Sequence, residues 1–373
     1  MRNRDWTRVA LGFAAPLLAI VFSVIVTSLI LVAAGDPVGT TWRTLATGGL
    51  SGALPRNLVN TVNLGTTYYL SAVAVAIGFR MNLFNIGVDG QYRLAVFAAA
   101  VVGGAVTLPR PLHVLLIVVV AMVVGGAWAA IAGLLKVGRG VSEVISTIML
   151  NAIAGGLVAY LLRRVASGQQ ASNNIATPSI PESGRVPGFT LLPSSPLLAY
   201  GFLFVAILVG LGYWYLLGRT RFGFDLRATG LSPSAAVASG VNVRRMVLAA
   251  MVLSGAVAGL VGLPELLGKT YTYDLSFPAG LGFTGIAIAL VGRNSPVGIA
   301  LAALLFAYLD TASNPLQILA DVAPEIVKIM QGVIVLSVVI AYELVRRYGV
   351  VHEQRRVAAQ LSATRPQTEE VPA

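Results

Sequence analysis

The run GLPELLGKT, Gly262 to Thr270, ends in the Gly-Lys-Thr with which a phosphate-binding loop ends. Such a loop needs G-x-x-x-x-G-K-[ST], because its backbone N–H groups curl around phosphates at one fixed chain length, between a buried strand and a helix. Five residues separate Gly262 from Gly268, and no strand pattern precedes them, so this run is not a nucleotide site. Four carboxylates, Asp89, Glu143, Asp310 and Glu343, lie in or near apolar stretches, where ionisable groups are default candidates for proton relays. Three of them sit near the expected ends of their stretches, where water or a helix cap can satisfy them; Asp310 is the awkward one, with Thr311 and Asn314 as available partners. The absence of cysteine excludes disulfides, iron–sulfur clusters and thiol catalysis, and the two histidines, His113 and His352, are too far apart in the chain to suggest a shared metal site.

Stepping from those residues to what must hold them, a 373-residue chain that is 56% hydrophobic and 11% charged has more apolar surface than a water-soluble globule can hide. Apolar runs with at most two charges, candidates to cross roughly 30 Å of hydrocarbon, lie at about 9–34, 57–79, 91–108, 112–135, 143–162, 196–217, 246–266, 280–292, 296–313 and 326–345. The expected fold is therefore all-α, a polytopic membrane protein of about ten transmembrane helices. The third, eighth and ninth are short and Gly-rich or Pro-bounded, so one or two are expected to be broken or re-entrant. With the N-terminus on the cytoplasmic side, 18 Arg and Lys residues fall on that side against 8 on the other, the asymmetry that orients membrane proteins. Both termini are then cytoplasmic, and the net charge of +11 needs no nucleic acid. The organisation that follows is a cytoplasmic N-terminus at 1–8, a membrane domain at 9–345 with an external loop at 163–195 and a cytoplasmic loop at 219–245, and a cytoplasmic tail at 346–373 read as disordered.

Three segments carry more than hydropathy. GFRMNLFNIGVDGQ, Gly78 to Gln91, gathers Asn82, Asn85, Asp89 and Gln91 beside three glycines. There the backbone is expected to leave the helix, and its freed N–H and C=O groups need polar company. A capped loop and a substrate or gate site are both open. In GRGVSEVISTIMLNAIAGG, Gly138 to Gly156, Glu143 suits the positive end of a helix dipole, while Ser146, Thr147 and Asn151 line one stripe, for interhelical hydrogen bonds or for a substrate. The basic loop holds RATGLSPSAAVASGVNV, in which Ser232 is an N-cap, Pro233 the first helical residue and Gly240 the stop. A capped helix of such small residues suits a groove in another protein better than a tether between spans. Ala236 is its sharpest probe, because a groove fitted to a methyl group has no room for a large side chain.

FNIGVDGQ, GVSEVISTIMLN, RATGLSPSAAVASGVNV with LSGAVAGLVG, and GLGFTGIAIALVGRNSPVG, in that order, resemble the hallmark stretches of bacterial ABC-importer inner-membrane permeases of the branched-chain amino acid and ribose-type family. The nearest branch is that for nucleosides and simple sugars, and the likeness to its longer permease covers roughly residues 35–345. The sequence departs from the branch at Asp89, where Glu is frequent, and at Ala152, where Tyr is usual; the IDLSVG-like run of ribose permeases is absent. The resemblance implies a multi-pass permease subunit in a bacterial cytoplasmic membrane, not an enzyme, that forms the path for nucleosides or related simple sugars. It implies a separate ABC ATPase that binds ATP and magnesium, no cofactor on this chain, a second, paralogous permease completing a heterodimer, and an extracytoplasmic substrate-binding lipoprotein. Arg227, Ala228, Gly230, Ala235, Ala236 and Gly240 fall on the family's coupling-helix pattern, with Ser232 and Pro233 as its cap. Asn85, Asp89, Gln91, Ser146, Thr147, Asn151, Phe283 and Thr284 are the expected substrate-path residues, an aromatic ring beside a hydroxyl suiting a nucleobase and ribose. A proton-coupled secondary transporter of a small polar solute, with Asp310 in its relay, is the alternative; it has no use for a coupling helix. Gly255 with Gly259, and Gly125 with Ala129 and Gly133, read as small-residue packing stripes.

Overall fold

The computed structural model describes residues 6–47, 54–166 and 175–363; the first five residues of the expected N-terminus, 167–174 of the external loop and the last ten of the tail lie outside them. Among the described residues the chain is helical, with two isolated β-bridges, Ala176 to Asp274 and Phe189 to Ala199, and no strand. Helices α1 (Trp6–Ala34) and α14 (Pro324–Ala363) belong to one compact unit, and α2 (Val38–Thr47) through α13 (Pro296–Ala320) make up the other.

Each of the ten apolar stretches coincides with a helix. Among the described residues seven helices are long and apolar enough to cross a membrane, or eight if α7 (Leu203–Arg219) and α8 (Arg221–Leu231), bent by 71° about Thr220, count as one span. The two that fall short have plain reasons. Helix α4 (Val88–Ala105) carries Asp89, Gln91 and Arg93 in its first turns, and α12 (Leu281–Val291) has 11 residues, about 16 Å of rise. The ninth stretch, expected to be short, is instead a 25-residue helix, α13. In the first unit, α14 runs unbroken to Ala363, where a disordered tail from 346 was expected. Glu343 lies on its surface, held by Arg346 and Arg347 at 2.9 and 2.8 Å.

The larger unit is built around α3 (Leu54–Phe79), buried almost continuously from Thr61 to Gly78. Burial inside protein, not in lipid, is what allows this helix to carry Asn57, Asn60, Asn63, Thr61, Thr66 and Thr67. Thr61 and Thr66 satisfy their hydroxyls on the carbonyls of Asn57 and Val62, one turn back. Against it pack α10 (Val243–Gly259), α12 and α13. The two small-residue stripes turn out to be each other's partners. Helix α5 (Arg110–Arg139) meets α10 so closely that a Cβ on Gly125 would lie 2.3 Å from the Gly255 carbonyl oxygen, and one on Gly259 would lie 2.1 Å from that of Ala121. Without lipid-excluding side chains to interdigitate, backbone-to-backbone van der Waals contact is the attraction left to such a pair. His113, fully buried at the start of α5, places one ring nitrogen 2.9 Å from the Gly103 carbonyl oxygen and the other 2.9 Å from Ser183 Oγ, tying the segment around Ser183 to α4.

Candidate functional site

Three places in the larger unit carry polar chemistry. The first is the break between α3 and α4. The chain leaves α3 at Phe79, passes Asn82 with φ 58°, and restarts at Val88. Its depth is set by its contacts: Asn85 Nδ2 donates to Ser254 Oγ at 2.8 Å, and Ser254 donates at 2.6 Å to the carbonyl of Ala74, well inside α3. Asn85 uses its whole amide, accepting from Gly87 N and Gln91 Nε2 and donating to Gln91 Oε1 and Ser254. Asn151, on α6 (Glu143–Ala166), reaches in to do two jobs. Its Nδ2 donates to the Ile86 carbonyl at 2.9 Å, and its Oδ1 accepts from Gly90 N at 2.8 Å. The polar company that a broken backbone requires is therefore supplied by these side chains.

Of the residues expected along a substrate path, Asn85, Gln91 and Asn151 are brought together here. Asp89 is close by but turns to α12, where Gly282 N approaches its Oδ1 at 3.4 Å; Arg93 is its electrostatic partner. Arg93 sits inside α4 with a buried Nε. Ser146 and Thr147 donate to the carbonyls of Ser142 and Glu143, and Thr284 to that of Gly280. Phe283, beside Thr284 on α12, is 53% exposed.

The second place is the end of the bundle at Arg80. Here α9 (Pro233–Ala238) has the caps read from its sequence. Ser232 Oγ accepts from Ala235 N, Pro233 opens the helix, and Gly240, at φ 82°, takes the left-handed conformation while Val241 N returns to the Ala236 carbonyl at 2.9 Å. Helix α8, missed by the sequence reading, precedes it and packs Gly230 against Arg80 and Met81. Arg80 in turn donates to the Asn294 carbonyl at 2.7 Å. Ala236 is 2% exposed, turned toward its own chain, whereas Leu231 and Val237 are 89% and 61% exposed. The face available to another protein is thus theirs, and Ala236 is not the probe its size suggested. Arg227 and Gly230 line a recess of about 470 Å³ with Asn82 and Asn294. Ala228 is half-buried, and Ala235 is exposed.

The third place was not foreseen. Away from α8 and α9, a polar cavity of about 540 Å³ opens between α3 and α13. Arg56, Asn57, Asn60, Asn63 and Thr67 line it from α3, and Asp310, Thr311 and Asn314 from α13. Tyr200, Glu265 and Lys269 close a side. Glu265 is clamped by Lys269 at 2.8 Å and by the Tyr200 hydroxyl at 3.0 Å, while Asn63 holds the Tyr200 backbone, accepting from its N at 2.8 Å. Burial first, and the Glu265 carboxylate second, push the Tyr200 phenol far above its ordinary value, so it remains a neutral donor. Near the middle of both helices the Tyr68 hydroxyl donates to Asp310 Oδ2 at 2.5 Å. Pro315 cannot donate to the carbonyl of Thr311, so one helical rung is missing beside the cavity. The spacing of Asn57, Asn60, Asn63 and Thr67 in an otherwise apolar span was the signal available in the sequence; Asp310 was singled out there, but its partner Tyr68 lies 242 residues away. Each of the four suspect carboxylates thus has a partner, Glu143 finding Lys136 at 2.5 Å, which removes the motive for a proton relay.

Comparison with known proteins agrees with this architecture. The family described as branched-chain amino acid transport system, permease component, matches residues 57–339. The guanosine ABC transporter permease protein NupP of Bacillus subtilis is 36% identical over 88% of this chain and 93% of its own. The glucose permease TsgB13 of Haloferax volcanii is 32% identical over 79% of each chain, and the nucleoside permease NupB of Lactococcus lactis 31% identical over 88% and 90%. The likeness spans the break at Asn85, the capped helix at Ser232 and the cavity on α3 and α13 alike, and the chain belongs to the permease-component family of branched-chain amino acid transport systems, as a transport subunit of an ABC importer whose ATP is hydrolysed by a partner.

Proposed function

We propose that this permease forms the membrane path for nucleosides, or for closely related simple sugars, in a bacterial cytoplasmic membrane. The carrying observation is the capped α8–α9 element, which presents Leu231 and Val237 outward at one end of the bundle; the names of the relatives at 36% and 31% identity supply the substrate class. In this reading Arg227, Ala228, Gly230, Ser232, Pro233, Ala235, Ala236 and Gly240 form the coupling element, and the ATP and magnesium are bound by the separate ATPase. Ten segments insert, α4 and α12 as partial spans, with both termini cytoplasmic. A second, paralogous permease completes a heterodimer, and the outer loop that includes 175–195 meets a substrate-binding lipoprotein. That loop has a firm seat, since Thr177 N and Ile180 N donate to the carbonyls of Tyr273 and Tyr271 at 2.9 Å.

Asn85, Gln91 and Asn151 shape the path by holding the break open, with Asp89, Ser146, Thr147, Phe283 and Thr284 on the adjoining α4, α6 and α12. Cells deleted for the gene are expected to lose uptake of labelled guanosine, adenosine and uridine at low concentration. Unchanged nucleoside uptake with lost ribose or glucose uptake would move the chain to the sugar branch. Orientation is checked separately, because cysteines can be added to a chain that has none. A cysteine at Lys269 should react with an impermeant reagent outside intact cells, and one at Ser234 should not; the reverse pattern overturns the topology.

A further inference from the structure

We infer that the cavity between α3 and α13 is a binding site for a neutral, polyhydroxylated solute, and that it reads the sugar of a nucleoside through carboxamides and the Asp310 carboxylate. The inference rests on the proposed function for its substrate class and goes beyond it in naming the site and the part of the substrate recognised. Polar and ionisable groups at membrane depth are expensive and are kept where they pair with one another or face a path. Here the expense is concentrated: Asn57, Asn60 and Asn314, with Thr67 and Thr311, converge on one void, while Asn63 in its wall donates to the Leu198 carbonyl and accepts from Tyr200 N. Its volume of about 540 Å³ lies within the roughly 300–1,000 Å³ of small-molecule sites.

The kind of solute follows from what each group can do. A carboxamide both donates and accepts, as a hydroxyl does, so a ring of carboxamides matches a polyol and gives no preference to an ion. Formal charge balances, Arg56 and Lys269 against Glu265 and Asp310. Glu265 is already engaged by Lys269 and Tyr200. Asp310 lies at the inner end, near the middle of α13, and the Tyr68 hydroxyl fixes its orientation. A carboxylate so placed accepts from adjacent hydroxyls and repels a phosphate. Among the described residues lining the cavity the one aromatic ring is that of Tyr200, and its hydroxyl is committed to Glu265. Base identity therefore has little to grip, and the sugar hydroxyls have much. The cavity runs from Arg56 and Ile318, near the ends of α3 and α13 remote from α8 and α9, down to Asp310.

The test uses the complete transporter, with its ATPase and second permease, in membrane vesicles, and Asn60→Cys as the one cysteine in this chain. Alkylation of that cysteine by a small impermeant maleimide is timed without ligand and with millimolar uridine, guanosine, 2′,3′-dideoxyuridine, uridine 5′-monophosphate or glucose. Uridine and guanosine should slow labelling alike, by several-fold, and the dideoxynucleoside and the monophosphate should leave it unchanged. Protection by glucose with none by nucleosides would support the cavity and overturn the nucleoside reading. Absence of protection by any ligand while the same vesicles import nucleosides would overturn the cavity and leave the function standing. Equal protection by the monophosphate, or a cysteine that never labels because the assembled complex covers it, would also overturn the cavity. In unlabelled transporter, Asp310→Asn should raise the KM for uridine at least tenfold, the loss of one hydrogen bond to a charged group, with the amount of assembled complex unchanged. An unaltered KM in assembled complex overturns the assignment of Asp310.

Discussion

The break at Asn85 and the cavity at Asn60 are made of the same chemistry, carboxamides from α3, its continuation and facing helices, yet they differ in what the amides touch. At the break every polar atom of Asn85 and Asn151 named above meets protein; Asn85 and Gln91 are buried, each at 1% exposure, and Asn151 is half-buried. In the cavity Asn57 and Asn60 are half-buried and border a void. A closed amide network substitutes for missing helical rungs; one on the wall of a void faces whatever enters it. Residue type alone does not separate scaffold from recognition, whereas what the side chains face does.

Substitutions can break or sharpen this contrast. The largest effect is expected from Asn151→Leu, which strands the Gly90 N–H and the Ile86 carbonyl in a partly buried setting at about 1–3 kcal/mol each; loss of folded protein in a detergent thermal-stability assay checks it. Ala236→Trp comes next. Because Ala236 is buried in its own chain, the large ring should destabilise the α8–α9 region by roughly 1–3 kcal/mol, visible as lowered membrane levels and protease sensitivity near 231–241. Leu231→Asp, at a residue 89% exposed, should change stability by no more than about 0.5 kcal/mol while lowering ATPase co-purification and abolishing uptake; normal uptake with the ATPase retained would show that this face is not the docking surface. Asn60→Ala should likewise leave the melting temperature nearly unchanged and weaken uptake by raising KM, so a destabilised Asn60→Ala protein would place the cavity amides with the scaffold. The smallest effect belongs to Lys269→Met. Its pair with Glu265 is 66% exposed on the lysine side, and such i, i+4 pairs contribute about 0.3–0.5 kcal/mol.

What could be read from the sequence was what neighbours in the chain decide. The caps of α9, Ser232, Pro233 and Gly240, are local chemistry and are present as read, and apolar length alone located the helices long enough to cross a membrane together with the shorter α4 and α12. The orientation of Ala236 could not be read, because at that helical position the inward face is set by packing within α8–α10. Nor could the placement of α4, since only Ser254 and Asn151, from distant helices, fix the break that precedes Val88. The glycines of α5 and α10 were recognisable as packing devices, but not as partners. The cavity was the least legible feature of all. Its walls come from residues as far apart as Arg56 and Ile318, and no window of sequence contains both.

The glycine contact between α5 and α10 has a mechanical side. From the Asn242 cap beside α9 to Lys269 at the cavity, one nearly continuous helical stretch, Val243–Thr270, joins the two working ends of the larger unit. It is gripped near its middle at Gly255 and Gly259, where backbone meets backbone and no side-chain rotamer can yield. At that grip the two helices have almost no side chain between them that could give, so α5 and α10 pack there as one piece.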